Sequence, residues 1–405
     1  MTSLGLRNFA ADKTKNLLIM NKLKLSQPLR ACATMVSLLI GLTAQSQQVE
    51  QYDIIPTQPR QHIQHFGASD AWSMRFIGLW PEWQQNQVAD WLFSTENDAW
   101  GKPKGIGLSI WRFNLGAGSA EQGDSSHINF PTRTECVLRS DGTYDWSRQA
   151  GQRQFLKLAK RRGVPYILAF CNSAPVFFTK NGLATNTGRG STINLKDNCY
   201  DDFARYMATA IKGIETHDSV KIDYISPVNE PDGSWNWIGP KQEGSPASNR
   251  EVAHVARELD KALSKAKLDT EIMLSEASDY RCLLGVHDAG WQRGNEIESY
   301  FCPDSTATYV GRLKHLPHLI GAHSYWTNTP VDFMRETRKR VAKACGERGI
   351  KFWQTEICIM SNDKEIGGGS GYDHSMKTAL YVARVIHHDL VYANANAESW
   401  SWWRA

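Results

Sequence analysis

The sequence predicts an α/β chain folded as one (β/α)8 TIM barrel. Three observations carry that prediction. From about residue 60 onward, short β-rich runs alternate with longer segments of helical period, the mark of a parallel α/β fold. The β-rich runs are densely apolar, as in YILAF at 166–170, and strands buried on both faces look like that. No long hydrophilic linker, internal repeat or low-complexity tract interrupts the series, which favours one barrel over two domains. A doubly wound open sheet is the structural alternative. It would normally carry a phosphate-binding glycine fingerprint, and the nearest stretch, GKPKGIGLSI at 101–110, fails the G-x-G-x-x-G spacing. With 405 residues, 41% hydrophobic and 22% charged, the composition is that of a soluble globular chain, neither disordered nor polytopic in a membrane.

The elements follow in order. Strands are expected at 62–68, 107–113, 165–171, 222–228, 271–274, 319–324, 351–355 and 395–400. Helices are expected between them at 83–93, 146–162, 200–215, 250–266, 331–348 and 372–391, with a weaker one near 290–300. Phe155, Leu158 and Ala159 in the second helix recur at the spacing that makes one apolar face, as do Ala379, Val382, Ala383 and Ile386 in the last. Seven crossings then join eight strands.

Ahead of the barrel, Lys22, Lys24 and Arg30 precede the apolar run ACATMVSLLIGLTA at 31–44, which is too short to span a bilayer. Residues 1–46 read as a leader and signal peptide, with cleavage after Ser46, Met20 as an alternative start, and 47–405 as the catalytic barrel. The expected location is secreted or periplasmic, with no stable membrane span after cleavage. The leader holds six Lys and Arg against one Asp, so the apparent net charge of +4 belongs to it. A nearly neutral mature chain gives no footing for nucleic acid. Seven cysteines remain without CxxC spacing. Cys282 with Cys302, or Cys171 with Cys199, are possible disulfides that the sequence leaves open.

In such a barrel, function sits on the loops after the C-terminal strand ends. Those positions hold Ser69, Asp70 and Trp72; Arg112 and Asn114; Asn172 and Ser173; Asn229, Glu230 and Pro231; Glu276; His323, Tyr325 and Trp326; Glu356; and Trp400 and Trp402. Glu230 and Glu356 close strands 4 and 7, which face each other across the mouth. Cleaving a glycosidic bond requires a proton for the leaving oxygen and an anion near the anomeric carbon, so two carboxyls flanking one bond suit that chemistry. Carboxyls about 5 to 5.5 Å apart give a covalent intermediate, whereas a gap of about 6.5 to 9.5 Å leaves room for water. Trp235 and Trp237, alternating in the loop beside Glu230, are expected to stack on sugar. Asp70, Trp72, Asn172 and His323 are further candidate substrate contacts. No H-E-x-x-H or comparable cluster occurs among the 12 histidines, so neither a metal nor a cofactor is expected.

SPVNEP at 226–231 and WQTEI at 353–357 resemble the acid/base and nucleophile strands of retaining glycoside hydrolases built on (β/α)8 barrels. With FGASDAWS at 66–73, WRFNLGAGS at 111–119, NEPDGSWNW at 229–237, QEGSPAS at 242–248 and AHSYW at 322–326, the chain looks like glycoside hydrolase family 30, nearest its endo-β-1,6-galactanase branch. The resemblance spans roughly residues 60 to 403. It implies that Glu230 is the general acid/base and Glu356 the nucleophile, so that the short separation is expected, with Glu230 the carboxyl of higher pKa. It also implies that Arg112 and Asn229 position the nucleophile and bind the sugar 2-hydroxyl, that Tyr325 stands beside the nucleophile, and that Trp400 or Trp402 floors the −1 subsite. Members of that family add a C-terminal β-sandwich, and the sequence, stopping at Ala405 after strand 8, is expected to lack both the last helix and that sandwich. The expected activity is a secreted, monomeric, retaining hydrolase of β-1,6-linked galactan. Xylan or β-1,6-glucan as substrate, or a non-catalytic carbohydrate-binding protein, are the alternatives.

Overall fold

The computed structural model describes residues 53, 55–236, 239, 241–285, 293–359, 373 and 375–401. The chain divides into two units at Pro59. Of the first, residues 53 and 55–59 are described, an exposed turn in which the Gln58 amide donates to the Ile55 carbonyl at 3.1 Å. The expected leader and its cleavage site lie outside the described residues. No helix among the described residues is long and apolar enough to cross a membrane.

The second unit, residues 60–405, is a parallel barrel. Its strands are β1 (His65–Ser69), β2 (Ile110–Asn114), β3 (Tyr166–Phe170), β4 (Tyr224–Ser226), β5 (Glu271–Ile272), β6 (Leu274–Ala277), β7 (Leu319–His323), β8 (Lys351–Glu356) and β9 (Ala397–Ser401). They pair in the order β5-β4-β3-β2-β1-β9-β8-β7-β6. The two ends of that order are consecutive in the chain. β5 pairs with β4, β6 pairs with β7, and only Met273 stands between them, its amide donating to the Ile225 carbonyl at 2.8 Å. The fifth expected stave is therefore split into two segments, which makes nine strand segments of eight staves and nearly closes the ring.

Outside the ring lie α1 (Glu82–Phe93), α2 (Ala150–Arg161), α3 (Tyr200–Asp218), α4 (Asn249–Ala266), α5 (Val331–Arg348) and α6 (Met376–Val391). Each long helix falls where helical period predicts one, with its ends shifted by a few residues. The start of α4 has a local cause: Ser248 and Glu251 form a capping box, each side chain bonding the other's backbone amide. The weaker helix appears as the short Glu296–Phe301. Strand ends differ more. β2 begins at Ile110 instead of 107, because Gly107 has a φ of +65° and the chain is still turning there. β4 is only three residues long, since its pairing with β3 covers no more.

Period-two alternation sends Trp111, Phe113, Ile167 and Ala169 outward into the main core, against Phe155 and Leu158 of α2. Ile110, Leu168, Tyr224, Met273, Leu319, Trp353 and Ala397 form a separate cluster that fills the barrel interior. Gly67 is part of that packing: a β carbon there would fall 2.3 Å from the Ile110 side chain. His65 adds an edge-on contact to Trp353 at 4.8 Å, and burial lowers its imidazole to about 4, so it is neutral. The apolar plug closes the lower end of the ring. Polar side chains are left to the opposite, C-terminal end. Cys171, Cys199 and Cys302 are buried thiols, so neither disulfide left open above is formed.

Candidate active site

At the C-terminal end of β8, Glu356 receives two hydrogen bonds. Arg112 Nη1 donates to Oε2 at 2.5 Å and the Tyr325 hydroxyl donates to Oε1 at 2.8 Å. Arg112, from β2, is buried and spreads its remaining donors. Nη2 reaches Asn229 Oδ1 at 2.7 Å and Glu276 Oε2 at 2.6 Å, and Nη1 also reaches Ser69 Oγ at 3.3 Å. Its guanidinium lies over the Phe170 ring at 3.6 Å. Asn229 in turn donates to Asn172 Oδ1 at 2.9 Å. One cation thus ties the ends of strands 1, 2, 4, 6 and 8 together.

Glu230 follows β4 with a φ of +47°, an uncommon left-handed conformation for a side chain of this size. Its Oε1 lies 3.0 Å from His323 Nδ1, and the far ring nitrogen, Nε2, lies 3.7 Å from Glu276 Oε2. The side chains of Glu230 and Glu356 keep 14% and 15% exposure, whereas those of Arg112, His323 and Glu276 have at most 1%. Of these five residues, the two open to a ligand are therefore the two carboxyls. One oxygen of each and a ring nitrogen of His323 lie within 4.8 Å of one another. That spacing can also embrace a cation, but hydrogen bonds from Arg112, Tyr325 and His323 already occupy those atoms.

The electrostatics differ across the cluster. Burial pushes Glu230 up, with His323 opposing and the charges of Glu356 and Asp232 adding to the rise. Burial also works against the charge of Glu276, yet Arg112 and His323 hold it well below the usual carboxylate range. His323 is the counterpart: burial resists its charge, and Glu356, Glu230 and Glu276 raise it to about 10. The Glu230–His323 pair accordingly keeps a proton in the neutral range. Burial, together with the charge of Glu356, keeps the Tyr325 phenol neutral and a donor. A Glu230 carboxyl pushed toward its acid form and a Glu356 carboxyl that accepts from Arg112 and Tyr325, a few ångströms apart, suit protonation of a leaving oxygen and attack on the carbon it leaves.

The other expected contacts stand differently. Trp235 is 4% exposed, and its indole nitrogen donates to the Glu230 carbonyl at 2.9 Å. A β carbon on Gly244 would meet its ring at 2.2 Å. That packing leaves no free face for a sugar, so the stacking role expected of Trp235 is replaced by support of the Glu230 loop. Asn172 is buried against Asn229. Asp70 is fully buried, accepts from Gln152 at 3.0 Å, and is raised to about 7 by burial. Trp72 is buried with a φ of +82° at the start of the short helix Ser73–Ile77. Trp400 is half-buried against Tyr325, Ile357 and Cys358, its indole donating to Glu398 at 3.0 Å. Trp237 and Trp402 lie outside the described residues. Two residues named among the strand-end positions were given no role there: Glu276, and Trp326, which is 53% exposed with its ring 6.4 Å from that of Tyr325.

The sequence profile of O-glycosyl hydrolase family 30 matches residues 49–405. An endo-β-1,6-galactanase of Hypocrea rufa is 25% identical over 354 residues, which are 84% of this chain and 66% of that protein. Among solved structures, a conserved exported protein from Bacteroides fragilis is 38% identical with a TM-score of 0.81, over 86% of this chain and 71% of that one. The catalytic domain of a xylanase C from Talaromyces cellulolyticus shares the fold at 23% identity and a TM-score of 0.57, over 86% of this chain and 70% of its own.

Proposed function

The chain belongs to O-glycosyl hydrolase family 30, and from that membership we propose that it is a secreted, retaining hydrolase of β-1,6-linked galactan. The observation that carries the reaction is the approach of Glu230 and Glu356, oxygen to oxygen within 4.8 Å. Retaining enzymes hold their carboxyls about 5 to 5.5 Å apart, and inverting ones about 6.5 to 9.5 Å to admit water. In the first step the Glu356 carboxylate attacks the anomeric carbon while Glu230 gives its proton to the departing oxygen. Arg112 and Tyr325 keep Glu356 aimed. In the second, Glu230, now ionised, takes a proton from water, whose oxygen displaces Glu356 and restores the starting configuration. The negative charge spent by Glu356 on the glycosyl bond and regained by Glu230 stays within one hydrogen-bonded cluster.

The galactan assignment is supported by the Hypocrea rufa relative, and export by the apolar run at 31–44 together with the exported Bacteroides fragilis protein. Incubating the full chain with β-1,6-galacto-oligosaccharides and following the new reducing ends by NMR tests both linkage and stereochemistry. The β-anomer should appear first. An α-anomer first would overturn retention, and cleavage of xylan or β-1,6-glucan alone would overturn the galactan assignment. N-terminal sequencing of protein from the culture medium should begin at Gln47.

A further inference from the structure

Behind the two catalytic carboxyls, in contact with Arg112 and His323, lies a third one that neither step uses. The pairing of β6 with β7 slips between Ser275 and Ala277, which advance two residues while Gly321 and Ala322 advance one. The extra residue is Glu276, with a φ of +58°. A bulge of this kind re-aims a side chain, and a non-glycine residue held in the left-handed region is strain that the surrounding structure must over-determine. Here the side chain is turned into the ring, where it is fully buried.

Its contacts run to both sides of the mouth. On one side Glu276 Oε2 accepts from Arg112 at 2.6 Å, and the other terminal nitrogen of that guanidinium holds Glu356. On the other, Oε2 lies 3.7 Å from His323 Nε2, and the opposite ring nitrogen faces Glu230. The backbone joins in, since the Glu230 amide donates to the Glu276 carbonyl at 2.9 Å. Resting on the glycosidase reading above, we propose that Glu276 is a positioning residue that links the two catalytic carboxyls, aiming Glu356 through Arg112 and setting the proton held between His323 and Glu230.

The physical reason is charge balance in a largely buried cluster. Arg112 of β2 and His323 of β7 are two cations facing Glu230 after β4, Glu276 of β6 and Glu356 of β8, with Asp232 beyond Glu230 and Thr355 the remaining polar neighbour of Glu276. With Glu276 ionised, His323 has an anion at Nε2 and keeps its own proton, and Nδ1 stays turned to Glu230. Removing that anion makes the imidazolium less favourable. His323 then deprotonates at lower pH, and the Glu230–His323 pair gives up its proton earlier.

Glu276→Gln in the full chain, compared with wild type by the pH profile of kcat/KM and by NMR titration of the His323 ring nitrogens, tests this. The expected result is a His323 midpoint lowered by roughly one unit or more, and a basic limb of the profile displaced downward with it. Unmoved midpoint and limb, with only a lower Tm, would overturn the proposal and leave Glu276 a structural residue. Should Glu276→Gln fail to fold, Glu276→Asp keeps the anion but withdraws it. It should move the midpoint part-way in the same direction, and no movement there is equally fatal. If the wild type cleaves no β-glycoside, the glycosidase reading fails, and the NMR titration still decides whether Glu276 governs the charge of His323.

Discussion

Each side chain at the mouth is held by partners from other strands, so substitutions there should act on rate more than on stability. Glu230→Gln keeps the volume but cannot donate a carboxylic proton. It should cost about 10²- to 10⁴-fold in kcat on an oligosaccharide, and much less on an aryl glycoside whose leaving group needs no proton. Comparing the two substrates isolates the acid role. Tyr325→Phe removes one of the two donors to Glu356. A hydrogen bond to a charged group is worth about 1.5 to 3 kcal/mol, so roughly a tenfold to hundredfold loss in kcat is expected, with KM nearly unchanged. An effect confined to KM would place Tyr325 on the ground-state sugar instead. At this scale the sequence marks residue types and strand ends, as with Glu230 and Glu356, but not burial. Trp235 and Asn172 read as contacts because loop position says nothing of what packs on the loop.

Among the elements, long helices were legible to within four residues at either end and strand limits to within three. The helices carry local signals: the apolar period of α2 and α6, and the Ser248/Glu251 box that starts α4. A strand begins where its partner begins, which no local signal records, and the break at Met273 arises because β5 and β6 serve different neighbours. The loop that carries Glu230 shows the same dependence. It stands on Trp235, which packs against Gly233 and Gly244. Gly244→Ala should therefore cost about 1 to 3 kcal/mol through overpacking and lower kcat by displacing Glu230. A thermal melt together with kinetics checks this. A full melting temperature with full activity would show that the ring relaxes without moving the loop.

The charge buried in the whole molecule sets a stability profile. Asp70 and Glu296 are raised by burial to about 7 and about 8, so the folded chain holds protons that the unfolded chain releases above its ordinary carboxylate range. Stability should fall as pH rises through those values. His323 acts in the same sense: its contribution is complete below the ordinary histidine value and is lost as pH rises through about 10. Glu276, depressed, acts oppositely, its contribution being lost only as pH falls below the ordinary carboxylate range. Thermal stability should thus peak on the acid side, near about pH 5, and decline toward alkaline pH. Asp70→Asn should flatten the decline between about pH 4 and 7. A melting temperature that rises steadily from pH 5 to 8 would contradict the burial of these protons.

The sequence by itself determined the parallel barrel and the position of two carboxylates at opposite strand ends, because hydrophobic period and strand-end chemistry are local properties of the chain. The tertiary structure alone decided how close Glu230 and Glu356 come and that Trp235 braces instead of binding. It also decided that Glu276, one residue out of register in β6, touches both Arg112 and His323. Those outcomes depend on through-space distance and on exclusion of water, and both arise only when residues hundreds of positions apart are closed into one ring.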